Sequence, residues 1–146
     1  MSLPVTSECT HPVEAVLQYT FRDRTWLESA LRHRSAALHD PTRSAHQPHN
    51  ERLEFLGDAL IGMVAAEELY RRHPQWSEGQ LTQARSALVR GETLASLAER
   101  LGLGRLLYMG KGEEAGGGRE RPTNLAAAME ALVGALFLDQ GYDAAR

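Results

Sequence analysis

The stretch NERLEFLGDALIGMVAAEELYRRH, residues 50–73, decides the fold class. Its apolar residues recur at helical spacing over roughly five or six turns, and Pro74 stops the run. At about 100° per residue with Glu51 as origin, Leu53, Leu56 and Leu60 cluster between about 140° and 200°, whereas Glu54 and Asp58 fall near about −60° and −20°. The acids therefore form one stripe opposite a leucine face. Phe55, near about 40°, stands among the acids rather than the leucines. A ring placed there needs a cover other than the chain's own core, and a partner subunit is the simplest one.

Working outward, PVEAVLQYTF (12–21) predicts a first helix and RTWLESALRHRSAA (24–37) a second, with Thr25 as its candidate N-cap. LHDPTRSAHQPH (38–49), rich in His, Pro and Ser, reads as a surface loop. Beyond Pro74, a helix starts at or just after Ser77 and runs through LTQARSALVR (81–90). GETLASLAERLG (91–102) is a separate amphipathic helix with Leu94, Leu97 and Leu101 on one face. Residues 102–122 hold seven of the chain's 13 glycines and read as a mostly mobile loop. TNLAAAMEALVGALFLDQG (123–141) is the most apolar helix, expected at the centre and ending at Gly141. No alternating strand pattern appears, so the expectation is an all-α bundle with two long inner helices.

A chain of 146 residues with 42% hydrophobic content suits one compact core, written here as a tail over 1–11 and a single domain over 12–146. Its net charge of −3, from 16 Lys+Arg against 19 Asp+Glu, argues against an evenly basic nucleic-acid binder. An acidic site surrounded by scattered arginines gives the same sum. Cys9 is the only cysteine, which rules out an intramolecular disulfide or a cysteine-based zinc site and suits a reducing compartment. With no signal-peptide pattern and no run approaching a membrane span, the expectation is a cytoplasmic protein that does not engage a membrane.

Glu130 lies alone in LAAAMEALVGALFL (125–138), where a carboxylate is costly unless paired or bound to a cation. Packing that helix against residues 50–73 would bring Glu130 toward Glu54 and Asp58. Three converging carboxylates repel one another unless a cation neutralises them, and an all-oxygen set suits Mg²⁺ or Mn²⁺. The structural alternative is a buried Glu130 held by Arg52 or Arg85. Carboxylate sites of this kind serve phosphodiester displacement or iron redox chemistry. Redox bundles use Glu-x-x-His pairs, and the predicted helices carry none, which favours metal-assisted phosphodiester hydrolysis.

These residues also resemble a family. NERLEFLGDAL (50–60) is similar to the signature of the ribonuclease III catalytic domain, and ALRHRS (30–35) resembles its Ala-Leu-Thr-His-Arg-Ser element, with Arg32 where threonine is usual. SEGQLTQARSALVRGETLASLAERLGLG, MGKGEEAGGGRERP and MEALVGALFLDQG follow in the family's order, so the resemblance spans roughly residues 12–143. It implies the ribonuclease III helical bundle and a homodimer that cleaves double-stranded RNA to leave 5′-phosphate and 3′-hydroxyl ends. Residue by residue, it implies that Glu54, Asp58 and Glu130 bind the metal, Mg²⁺ with Mn²⁺ as a substitute. Glu51 and Glu78 match acids of the cleavage valley, placed there across the dimer, and with Asp58 and Glu130 they complete the catalytic set. Asn50 and Arg85 match RNA-facing positions, and Phe55 matches an aromatic that enters a socket on the partner.

Two features depart from that pattern. The family's last helix carries an Asp three residues before its Glu, and this chain has Ala127, whose methyl cannot bind a cation. Ala126, Thr123 and Asn124 are poor replacements on spacing. The alternative function is therefore a catalytically impaired RNA-binding or scaffold dimer. The second departure is length: family members usually continue into a double-stranded-RNA-binding domain, and this sequence ends at Arg146.

Overall fold

The computed structural model describes residues 10–37 and 48–146. Residues 1–9, most of the predicted tail, and 38–47, most of the predicted 38–49 loop, lie outside the described residues. The first helix, α1, spans Pro12–Leu17 and stops short of the expected Phe21. Its start is fixed by His11, whose ring accepts the Val13 N–H while Glu14 reaches back to the His11 N–H in a capping box. Its end is fixed by the same Glu14. That carboxylate, 2% exposed, also accepts the Phe21 N–H at 3.0 Å and the Arg24 guanidinium at 3.0 Å, which draws the chain across the helix end through Gln18 in a left-handed conformation. Burial pushes the Glu14 pKa up, but the donations from Phe21, His11 and Arg24 outweigh it and hold the group below its ordinary value.

The predicted 24–37 helix is two pieces, α2 (Arg24–Ala30) and α3 (Arg34–Ala37). Asp23, rather than Thr25, is the N-cap and accepts the Thr25 N–H. The break between the pieces has a definite cause. Tyr108 N–H donates to Leu31 O, His33 N–H to Tyr108 O, and Asn50 N–H to Arg32 O, each at 2.9 Å. Backbone groups that an unbroken helix would pair internally are thus used to tie three distant segments together.

The long helix forms as α4, Glu51–Arg72, within a residue of its predicted limits. Next come α5 (Glu78–Val89) and α6 (Gly91–Arg100), the former opened by a Ser77–Gln80 capping box. The glycine-rich segment contains more structure than its composition predicts: a 3₁₀ turn over Leu103–Leu106 and a short helix α7 over Lys111–Ala115. Arg119 holds it in place by donating to Gly104 O at 2.9 Å and Leu107 O at 2.7 Å. These bonds satisfy carbonyls that a free loop would leave to water.

The apolar α8, Pro122–Gln140, and a final turn α9, Tyr142–Ala145, complete the order. As predicted, α8 is central: it packs against α2, α4, α6, the 3₁₀ turn and α9. Ala128, Ala131 and Ala135 are fully buried along it, and Leu132 meets Leu27, Leu31 and Leu103 in the core. No strand forms among the described residues, the Arg32–Tyr108 pairing being an isolated bridge.

Candidate active site

The site is set by how closely α4 and α8 cross. A Cβ built on Gly57 would lie 1.7 Å from the Glu130 carbonyl oxygen, and one on Gly134 would lie 2.5 Å from that of Leu53. Only glycines permit that backbone-on-backbone approach. Gly57 stands between Glu54 and Asp58 on α4, and Gly134 is one turn beyond Glu130 on α8. The interlock therefore sets the two acids of one helix beside the single acid of the other.

Electrostatics record the closeness. Burial, and then the charges of Asp58 and Glu54, push Glu130 up to about 7. Burial, followed by Glu51 and Asp58, also raises Glu54. The structural alternative fails among the described residues, because neither Arg52 nor Arg85 forms an ion pair with Glu130. Glu130 is a half-buried carboxylate whose charged neighbours in this site are acids.

The expected convergence of three carboxylates on one point is only partly met. Among the described residues, no three His, Cys, Asp or Glu side chains are grouped closely enough to hold a metal ion. The position that would add another acid to the α8 face is Ala127. Sequence spacing had left Thr123 and Asn124 as poor substitutes, and the geometry agrees. Asn124 spends its amide on Glu113 Oε1 at 2.9 Å and Gly118 O at 3.0 Å, while Thr123 is exposed at the helix start. The donor set still has the chemistry of a hard-cation site, since it is all carboxylate and the charges of Asp58 and Glu54 raise the proton affinity of Glu130.

The remaining predicted residues lie at varied distances from this centre. Glu51 is exposed on the first turn of α4, 3.5 Å from Arg34 and 3.8 Å from His49 Nδ1. Glu78 opens α5 and accepts the Thr82 hydroxyl at 2.7 Å, and it is not among the charges that shift Glu54 or Glu130. Arg85 is exposed on α5. Asn50, expected to face RNA, is only 4% exposed; its backbone anchors the start of α4, with its N–H on Arg32 O and its carbonyl accepting the Glu54 N–H at 2.8 Å. Phe55 is 82% exposed, the most open large apolar residue described. Gly57 and Gly134 were not singled out by sequence reasoning, although a glycine inside a long helix costs about 1 kcal/mol relative to alanine and asks for a packing reason.

A ribonuclease-III-like family model matches residues 23–146. The chain belongs to the ribonuclease III family. It is 48% identical over 138 residues to ribonuclease 3 of Heliobacterium modesticaldum, covering 93% of this chain and 58% of that protein. With ribonuclease 3 of Pseudomonas fluorescens the identity is 49% over 134 residues, covering 92% and 55%. The chain thus spans little more than half the length of these curated relatives. Among solved structures, the nuclease domain of Campylobacter jejuni ribonuclease III, in which a flexible region is involved in dimer formation, matches with a TM-score of 0.84 at 38% identity, covering 92% of this chain and 89% of that one. An all-α ribonuclease III nuclease fold is therefore the architecture of this chain.

The raised Glu130 pKa has a consequence for stability. In the unfolded chain Glu130 titrates near its ordinary 4.5, and in the fold near 7. A raised carboxylate pKa stabilises the fold at acid pH, and that contribution disappears as pH climbs from about 4.5 through about 7. Glu130→Gln should accordingly raise the melting temperature by a few degrees at pH 8, equivalent to about 1 kcal/mol after discounting for solvent screening. At pH 4 it should change little, and equal shifts at both pH values in calorimetry would contradict the assignment.

Proposed function

We propose that the protein is a metal-dependent, homodimeric endonuclease that hydrolyses phosphodiester bonds of double-stranded RNA, leaving 5′-phosphate and 3′-hydroxyl ends on ribosomal or other structured RNA. The observation that carries this reading is the Gly57–Gly134 crossing, which sets Glu130 against Glu54 and Asp58. In this reading Glu54, Asp58 and Glu130 would hold Mg²⁺ or Mn²⁺, their side chains drawing together on the ion from the wider spacing they have here. The bound cation supplies charge neutralisation at the scissile phosphate and lowers the pKa of the attacking water. Glu130, with a pKa raised to about 7, would release its carboxyl proton to solvent on binding the cation. Glu51 and the partner's Glu78 line the cleavage valley, Arg85 meets the RNA backbone, and Asn50 holds the first turn of α4 in register.

The dimer reading rests on α4. Phe55, Met63 and Tyr70, at 82%, 59% and 74% exposure, follow one another by about two helical turns on a single face. α5, packed beside α4, has no buried residue of its own. A second subunit would remove this apolar surface from water, and dimer formation by the nuclease domain of the Campylobacter relative supports a dimer as such. Phe55→Ala should weaken the dimer by about 2 kcal/mol, some thirtyfold in dissociation constant. An unchanged molar mass across a dilution series in light scattering would refute it.

The function is tested by incubating the chain with a long RNA duplex and Mg²⁺ or Mn²⁺. Metal-dependent shortening supports the nuclease, and no product at high enzyme excludes it for this chain. Ala127 favours a second reading, an RNA-binding or scaffold dimer without catalysis. It requires duplex retention in a gel shift with no metal-dependent products.

A further inference from the structure

We infer that the cleft between α3 and the start of α8 binds a backbone phosphate of the RNA, beside the acidic site. This inference rests on the double-stranded-RNA reading above and specifies where the RNA backbone is gripped. The cleft has a volume of about 700 Å³, and Arg34, His49, and the pair Arg121 and Thr123 reach it from three separate stretches of chain.

It neighbours the acidic site through two sets of residues. Glu51, whose charge raises Glu54, lies 3.5 Å from Arg34 and 3.8 Å from His49. Thr123 stands two helical turns before Glu130 on one face of α8, an axial offset of about 10 Å. An RNA strand passing over Glu130 would therefore meet the cleft within a short distance along its backbone.

The cleft has the donors a phosphate needs. The Arg34 side chain is 72% exposed, and its one ion pair among the described residues is the long, open contact with Glu51, which leaves donors for an anion. The His49 ring lines the cleft with its side chain 37% exposed, while its Nδ1 is turned inward and makes no hydrogen bond among the described residues. A buried polar atom without a partner is costly. The Thr123 N–H also lacks an acceptor there, because only the Asn124 and Leu125 N–H groups turn back to Arg121 O. It opens a 19-residue helix with no side-chain cap, so its positive end adds to the Thr123 hydroxyl. The one acid inside the cleft, Glu113, is neutralised by Arg121 and by the Asn124 amide. In a chain of net charge −3 that must approach a polyanion across its own carboxylates, such a cluster offsets their repulsion where it is greatest.

The test measures duplex RNA binding by the full chain, without activating metal, across a salt series. Arg34→Gln should weaken binding roughly three- to tenfold near physiological salt and flatten the slope of log affinity against log salt by about one. Its melting temperature should be unchanged, since the side chain is open to solvent. Titrating inorganic phosphate while following the His49 ring by NMR separates a general anion site from a backbone contact. Perturbation of His49 together with the flattened slope supports the inference. Perturbation with an unchanged slope assigns the cleft to free anions and overturns it, as does an unchanged slope and affinity alone. If the unsubstituted chain binds no duplex at any salt, the RNA reading itself falls.

Discussion

Gly57→Ala is expected to destabilise the fold by roughly 3 kcal/mol or more and to abolish any metal-dependent cleavage. The added methyl has no space: its carbon would lie 1.7 Å from the Glu130 carbonyl oxygen and 2.4 Å from the Glu130 carbonyl carbon. Both obstacles are backbone atoms, so no rotamer change relieves the clash. Restoring ordinary contact requires α4 and α8 to separate by well over 1 Å at their crossing, and Gly134 against Leu53 O would open with it. Close-packed interiors do not absorb such a shift locally. The same separation moves Glu54 and Asp58 away from Glu130, and positional errors of about 1 Å are enough to cost a hundredfold in rate. Thermal melts followed by circular dichroism check the first effect. If the variant remained as stable as the parent and Glu130 kept its raised pKa, the backbone interlock would be wrong.

The acidic half of this arrangement was legible in the sequence because helical spacing is a local property. Glu54, Asp58 and Phe55 fall on known faces as soon as residues 50–73 are read as one helix, and an isolated Glu130 in an apolar run calls for a partner by solvation cost alone. The crossing that joins them was less legible, because a glycine's role depends on what approaches it. Gly57 did carry a signal: it sits near about −120° on the same wheel, between the leucine face and the acids, in a helix that gains nothing from glycine. Breaks dictated by distant segments were not readable at all. The 24–37 pattern is good helix, yet its middle is diverted to other segments: Leu31 O and Arg32 O accept from the Tyr108 and Asn50 N–H groups, and the His33 N–H donates to Tyr108 O. Likewise, glycine content suggested a loose 102–122 segment, and the bonds from Arg119 that order it depend on the tertiary arrangement. Composition records backbone freedom, not the side chain that removes it.

Ala127→Asp is the substitution expected to change activity most in the opposite direction, raising metal-dependent cleavage of duplex RNA by about a hundredfold or more. Residue 127 is half-buried on α8, one turn before Glu130 and one turn after Thr123, and a carboxylate there would add to the acids that already face each other across the crossing. Two opposing effects accompany it. Without divalent cation, another negative charge raises Glu130 further and lowers stability, with a smaller cost from the weaker helix propensity of Asp. With cation, the additional ligand strengthens binding, and preferential binding to the folded state stabilises it in proportion to the logarithm of cation concentration over dissociation constant. The variant should therefore melt below the parent in chelator and rise more steeply than the parent as Mg²⁺ or Mn²⁺ is added. That crossover separates a missing ligand from a general loss of function. Cleavage and metal stabilisation rising together would show that Ala127 limits an otherwise assembled site. Metal stabilisation without cleavage would leave the chain a scaffold that can bind the cation, while no response in either measurement would remove residue 127 from the site.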